Sequence, residues 1–162
     1  MRGVLSTMTI RSIEPRDRAA YLRMTHAFYH SDAVLHPVPD AYLETTFEAL
    51  MAKTPFVSAY IFEEAGETVG YALTATTFSQ EAGGVVLWVE ELYVEEPYRS
   101  QGIGRQFLTS LTQSPPDGVK RIRLEVEREN ERAVKLYESL GFSFLGYDQM
   151  LIEYGEGSTP TL

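Results

Sequence analysis

Apolar and polar positions recur along this chain with a period that changes several times. Residues 9–13 read as a short strand. Pro15 and Asp17 then open a helix to about residue 30, with Ala20, Tyr21, Met24, Ala27 and Phe28 along one face. Residues 31–40 contain Pro37 and Pro39 and read as a loop. A second helix is predicted over 41–51, striped by Tyr42, Leu43, Phe47, Leu50 and Met51, and Pro55 closes that unit. Segments 57–63, 68–78 and 85–94 read as strands, separated by turns at Ala65-Gly66 and Gly83-Gly84. Short glycine-bearing turns join antiparallel neighbours. The pattern then runs helix (102–114), strand (121–126), helix (131–140) and two strands (142–144 and 148–153). This order implies an α+β fold, a single domain over 9–154 with a mixed, mostly antiparallel sheet flanked by helices. Residues 1–8 read as a flexible leader and 155–162 as a disordered tail.

At 162 residues, 44% hydrophobic and 23% charged, the chain suits one ordinary globular domain. Its 14 basic and 23 acidic residues leave a net charge of −9. A field of that sign repels nucleic acid and anionic lipid, so neither is expected as a partner, and it favours cationic ligands such as amines. There is no cysteine, which excludes disulfides, thiolate nucleophiles and Cys-based zinc sites. Residues 1–7 are too poor in apolar side chains for a signal peptide, and no apolar run is long enough to span a bilayer, so a cytoplasmic protein is expected.

Chemistry concentrates after the third strand of the meander, in Arg99-Ser100-Gln101-Gly102-Ile103-Gly104-Arg105. A strand, a glycine turn and a helix start leave outward-facing backbone N–H groups, and the helix dipole adds positive potential. Arg99 and Arg105 add charge, so a pyrophosphate fits. A P-loop needs Lys-Ser/Thr after its last glycine, where this chain has Arg105-Gln106. A dinucleotide fingerprint needs Gly or Ala at 107, where Phe107 stands. Thirty residues on, Asn130 precedes Glu131-Arg132-Ala133-Val134-Lys135-Leu136-Tyr137-Glu138-Ser139-Leu140-Gly141-Phe142. Asn130 suits a helix N-cap. Ala133, Leu136, Tyr137 and Leu140 share a face, and Gly141 suits the C-terminus.

These two segments resemble the GNAT family of N-acetyltransferases. Arg99 to Gly104 matches its Q/R-x-x-G-x-G/A signature, and Asn130 to Phe142 matches its N-x-x-A-x-x-L-Y-x-x-x-G-F segment. The resemblance implies acetyl-CoA as co-substrate and a splayed pair of central strands, here 85–94 and 121–126, with the pantetheine arm in the gap. It places the coenzyme on Leu92, Tyr93, Val94, Arg99, Ser100, Gln101, Gly102, Ile103, Gly104, Arg105, Asn130 and Tyr137. It implies direct attack of an amine on the thioester in a ternary complex, with Tyr137 as proton donor to the departing sulfur. Family members often use a glutamate on the first splayed strand as base. Glu90 is the preferred candidate and Glu91 the alternative, since strand alternation puts them on opposite faces. Glu125 and Glu127 on the facing strand are weaker candidates.

The family's acceptor pocket maps to Tyr29, His30, Asp32, His36, Tyr42 and Tyr147, with Glu91 as a further contact. The implied partner is a small-molecule amine; dimers are common in the family, so a homodimer stays open. His26 and His30 have helical i, i+4 spacing, but Ala27 replaces the Glu of the zinc-protease pattern, and no metal is expected. The competing class is a non-catalytic acyl-CoA-binding sensor or scaffold, which would keep the glycine loop and dispense with the proton-handling groups.

Overall fold

The computed structural model describes residues 8–154. In chain order the elements are β1 (Thr9–Ser12), a 3-10 turn (Pro15–Asp17), α1 (Arg18–Tyr29), α2 (Asp40–Met51), β2 (Val57–Glu64), β3 (Glu67–Ser79) and β4 (Gly84–Val94). A second 3-10 turn (Glu96–Tyr98), α3 (Ile103–Gln113), β5 (Val119–Leu124) and α4 (Glu131–Ser139) follow. The sheet order is β1-β2-β3-β4-β5. The first four strands are antiparallel, and β5 joins β4 in parallel after the α3 crossover. The α+β class and the antiparallel meander follow from this order.

The sheet divides two apolar layers. On one face Tyr21 and Met24 of α1 and Phe47 and Leu50 of α2 cover Ala59, Ile61, Tyr71 and Leu73. On the other, Ile103, Phe107, Leu108 and Leu111 of α3 cover Phe62, Val69, Ala72, Leu87 and Val89, and Leu136, Tyr137 and Leu140 of α4 pack at its edge. Period two in the strands and 3.6 in the helices supply both layers. Arg11 ties β1 to the start of α1. Its guanidinium donates to both carboxylate oxygens of buried Asp17 at 2.7 and 2.8 Å and to Glu63 at 2.7 Å.

Two expectations need correction. Segments 142–144 and 148–153 form no strand. Apolar content does not itself supply a neighbouring strand, and this stretch is tied by side chains instead: the Arg128 guanidinium lies 4.2 Å from the Phe144 ring centroid, and Gln149 donates to Glu125 at 2.8 Å. Met150, Leu151 and Ile152 are exposed. Met8, grouped above with the leader, is buried in the α3-side core. The rest of the leader and the tail lie outside the described residues.

Candidate active site

The site is built around an irregularity in β4. Leu73 of β3 pairs with Glu91 and the next residue, Thr74, pairs with Val89. Glu90 is therefore an extra residue, a β-bulge. Leu87 and Val89 face the α3 layer, and uninterrupted alternation would send Glu91 after them. The bulge reverses this. Glu91 turns to the α1 layer, Tyr93 follows it there, and Leu92 and Val94 return to the α3 layer.

Glu91 is 6% exposed, and burying a carboxylate is costly unless it is hydrogen-bonded. Two phenols meet it. Tyr29, the last residue of α1, donates to Oε1 at 2.5 Å, and Tyr71 in β3 donates to Oε2 at 2.6 Å. Burial pushes the Glu91 carboxyl above the usual glutamate range, and the two hydrogen bonds pull against that. Burial and the Glu91 charge push both phenols up, so each stays protonated as a donor.

Glu90 is exposed where the sheet opens. The parallel pairing of β4 with β5 runs from Val85 opposite Val119 to Val89 opposite Leu124 and stops, one residue before the bulge. Partial desolvation of its carboxyl, then the charges of Glu125 and Glu91, push Glu90 up. Beyond it β4 has β3 on one side only. The Glu95 N–H donates to Val69 of β3 at 2.9 Å. Strand alternation then sends the Glu91 and Tyr93 N–H groups to β3 and those of Leu92 and Val94 to the open side.

The glycine loop follows directly. Arg99 Nε donates to the Val94 carbonyl at 2.8 Å. Ser100 and Gly102 have φ of 62° and 82°, the left-handed region that glycine enters freely. Gly102 is the N-cap of α3 and offers the first-turn N–H groups no side chain, and that turn carries no acidic residue. The positive end of the helix is thus uncompensated and suited to an anion. A Cβ at Gly102 would meet nothing within 4 Å, so a side chain there would stand in front of the loop.

Helix α4 braces the loop from the side. Arg132 donates to Ser100 Oγ at 2.9 Å and Arg105 to Ser139 Oγ at 3.2 Å. Asn130 accepts from the Ala133 N–H at 3.2 Å, so its side chain is engaged as the helix cap. Tyr137 packs against the α3-side core and lines a groove of about 730 Å³ with Ile122, Leu124 and Phe142. Burial pushes its phenol up, keeping it protonated at neutral pH.

The profile of the Acetyltransferase (GNAT) family matches residues 21–142. The chain belongs to the GNAT acetyltransferase family. A spermine/spermidine N(1)-acetyltransferase of Bacillus subtilis is 28% identical over 85 residues, 50% of this chain and 56% of that protein. A thialysine N-epsilon-acetyltransferase of Bos taurus is 36% identical over 107 residues, 58% of this chain and 62% of that protein. The chain thus spans less than two thirds of the length of either relative. A possible acetyltransferase from Clostridium difficile shares the fold with a TM-score of 0.78 at 20% identity, covering 91% of this chain and 98% of that one. An aminoglycoside acetyltransferase, AAC(6')-Iy, solved with a bisubstrate analogue of CoA and an acetylneamine, has a TM-score of 0.73 at 16% identity, covering 93% and 100%.

Within this GNAT domain the expected residues are distributed unevenly. Glu90 lies where the sheet opens, Glu91 is buried on the α1 side with Tyr29, and the loop from Arg99 to Arg105 lies at the end of β4. Glu125 approaches Glu90, whereas Glu127 is exposed beyond β5. His30 is exposed and tied locally: its Nδ1 lies 2.8 Å from the His26 carbonyl, and the two rings stack at 4.0 Å. Asp32, His36, Tyr42 and Tyr147 are exposed. Among the described residues no group of three or more His, Asp or Glu side chains is placed to hold a metal, and no helix is long and apolar enough to cross a membrane.

Two participants escaped sequence reasoning. Tyr71 looks like a core strand residue, yet a buried phenol needs a hydrogen-bond partner, and that is the signal that could have found it. It pairs with Tyr93, which puts its hydroxyl beside Glu91, two residues earlier on the same face. Arg132 lies inside the second motif at a variable position, and only the packing of α4 beside the loop brings it to Ser100.

Proposed function

We propose that this chain is an acyl-CoA-dependent N-acyltransferase that moves an acetyl group from acetyl-CoA to the primary amine of a small, cationic molecule by direct attack in one ternary complex. The observation that carries the reading is the end of β4–β5 pairing at Val89, immediately ahead of a carboxylate and a glycine loop at a helix N-terminus. Unpaired backbone groups favour a ligand that satisfies them. The Leu92 and Val94 N–H groups face the opening, and the loop over 99–105 suits the pyrophosphate, so the residues present fit the coenzyme. Amine acceptors agree with the names of the two relatives, and a net charge of −9 with Glu90 and Glu125 as neighbours at the opening favours a cation. We place the reaction in the cytoplasm.

Acetyl-CoA supplies the activated acyl group and the thiolate that leaves as the amide bond forms. The chain has two protons to handle. An alkylammonium must lose one before it can attack, and Glu90, exposed at the mouth of the opening, is the group to take it. The leaving sulfur gains one, and Tyr137 is held protonated to give it. Glu90 and Tyr137 belong to different elements on the two sides of the opening, which suits separate proton transfers.

Calorimetric titration of acetyl-CoA tests the coenzyme site. Wild type is expected to bind and Gly102→Glu to give no heat, because its carboxylate occupies the anion position. Tyr137→Phe is expected to bind within about threefold of wild type while kcat falls about 100-fold, the usual scale for a lost general acid. Spermidine, thialysine and neamine serve as acceptors, with CoA release followed by a thiol reagent; a chain without cysteine contributes no thiol background. Failure of wild type to bind acetyl-CoA overturns the reading.

A further inference from the structure

Glu90 and Glu91 are chemically identical neighbours, and a β-bulge can sit on either. With the bulge on Glu90, Leu73 pairs with Glu91 and Ala72 with Leu92. With the bulge on Glu91, Leu73 would pair with Glu90, while Ala72–Leu92 and Thr74–Val89 would be unchanged. The two registers differ only in which carboxylate is buried against α1 and which is left at the opening of the sheet. Ladder hydrogen bonds barely distinguish them, because the same number of residues pairs in each.

The difference lies in the side-chain contacts. In the observed register the buried carboxylate receives one phenol on each oxygen, from Tyr29 and Tyr71. These donors come from two elements, the end of α1 and the middle of β3, and they approach from the layer that the bulge makes Glu91 face. Charge-assisted hydrogen bonds of this kind are roughly twice as strong as neutral ones. The groups around the pair are few. Tyr21 and Tyr29 of α1 and Tyr71 of β3 surround Glu91, while Glu125 and Glu91 face Glu90.

We propose that Tyr29 and Tyr71 are positioning residues that lock the β4 register: by clamping Glu91 they fix the bulge on Glu90 and so present Glu90, and not its neighbour, to the acceptor amine. The inference rests on the transferase reading with Glu90 as the base. It gives the clamp a role beyond packing, since a slip of one residue at this point moves the base without moving Leu92, Val94 or the glycine loop. Coenzyme binding is therefore insensitive to the clamp and turnover is not.

The test is the Tyr29→Phe/Tyr71→Phe double variant, beside Tyr29→Phe alone and Glu90→Gln. Cross-strand NOEs report the register directly and need no acceptor. Wild type shows Leu73 against Glu91 only. The double variant is expected to show a second set, Leu73 against Glu90, with acetyl-CoA affinity within about threefold of wild type and kcat lowered at least tenfold, measured with the amine that wild type acetylates fastest. If the double variant folds poorly, Tyr29→Phe, at the end of α1, is expected to show the same second set at lower population. A double variant, or failing it Tyr29→Phe, that keeps Leu73 against Glu91 alone overturns the proposal, whatever its melting temperature. The underlying base assignment fails separately: Glu90→Gln would then turn over like wild type, even if the phenol variants shift the register.

Discussion

Gly70 of β3 lies opposite Val94 of β4, and Gly70→Ala tests whether their close approach matters. A Cβ at Gly70 would sit 2.4 Å from the Tyr93 carbonyl oxygen, 2.9 Å from Phe62 Cδ2 and 3.2 Å from Val94 Cα. Two of these atoms are backbone, so no side-chain rotation relieves the overlap. Relief to even 3.0 Å requires β4 to move about 0.6 Å, toward the side from which Leu92 and Val94 face the opening. Overpacking of this kind costs about 1–3 kcal/mol. The loss of glycine's freedom in the unfolded chain offsets about 0.4–1 kcal/mol of that. Overpacking wins, by about 1–2 kcal/mol, and at this chain length the melting temperature falls by about 2–8 °C. Acetyl-CoA affinity drops about tenfold, equivalent to about 1.4 kcal/mol. Gly84→Ala is the control, because its Cβ would meet the Lys120 side-chain Cγ at 2.8 Å, which a flexible side chain can vacate. Differential scanning calorimetry and acetyl-CoA titration measure both quantities. A Gly70→Ala protein indistinguishable from Gly84→Ala in both would refute the reasoning.

The pH profile of kcat supplies a second check. Burial and the Glu125 and Glu91 charges raise the Glu90 carboxyl; under the proposed mechanism a base at Glu90 works as carboxylate, so the rate is expected to fall as pH drops through a value above the ordinary 4.5. Glu125→Gln removes one like charge and is expected to move that acid limb to lower pH. A third concerns stability. In Arg11→Met the buried Asp17 carboxylate loses its partner, which costs about 3 kcal/mol near neutral pH by denaturant unfolding. Burial pushes the Asp17 carboxyl up, but the Arg11 hydrogen bonds win and hold it below 3.8. The wild-type advantage is therefore full above the unfolded value and closes as pH falls below it.

Much of this molecule is legible in the chain. The strands between residues 57 and 94 declare themselves by apolar runs bounded by glycine turns, and α3 and α4 by apolar stripes with Gly102 and Asn130 at their starts. The glycine loop is legible because its backbone geometry follows from glycine spacing. The roles of Glu90 and Glu91 are not legible. Alternation says only that they diverge; the bulge that decides which is buried is a property of the pairing with β3, and nothing within 84–94 marks its place. Tyr71 is hidden for the same reason, since its meaning depends on a residue twenty positions away. The segment over 142–154 misleads in the opposite sense, because it is rich in apolar and aromatic residues yet pairs with no strand among the described residues.

The bulge also bears on how the site is encoded. Val89 and Glu91 already occupy successive places on the ladder to β3, so β4 would pair without interruption if residue 90 were deleted, and every other cross-strand partner would keep its place. Glu90 is thus supernumerary to the fold: the extra place it fills comes from the length of β4 and has no partner on β3. A single codon lost there would leave an unbroken sheet, an intact core and an untouched glycine loop. Among relatives of this chain, a gap of one at position 90 therefore says more about the site than a substitution there.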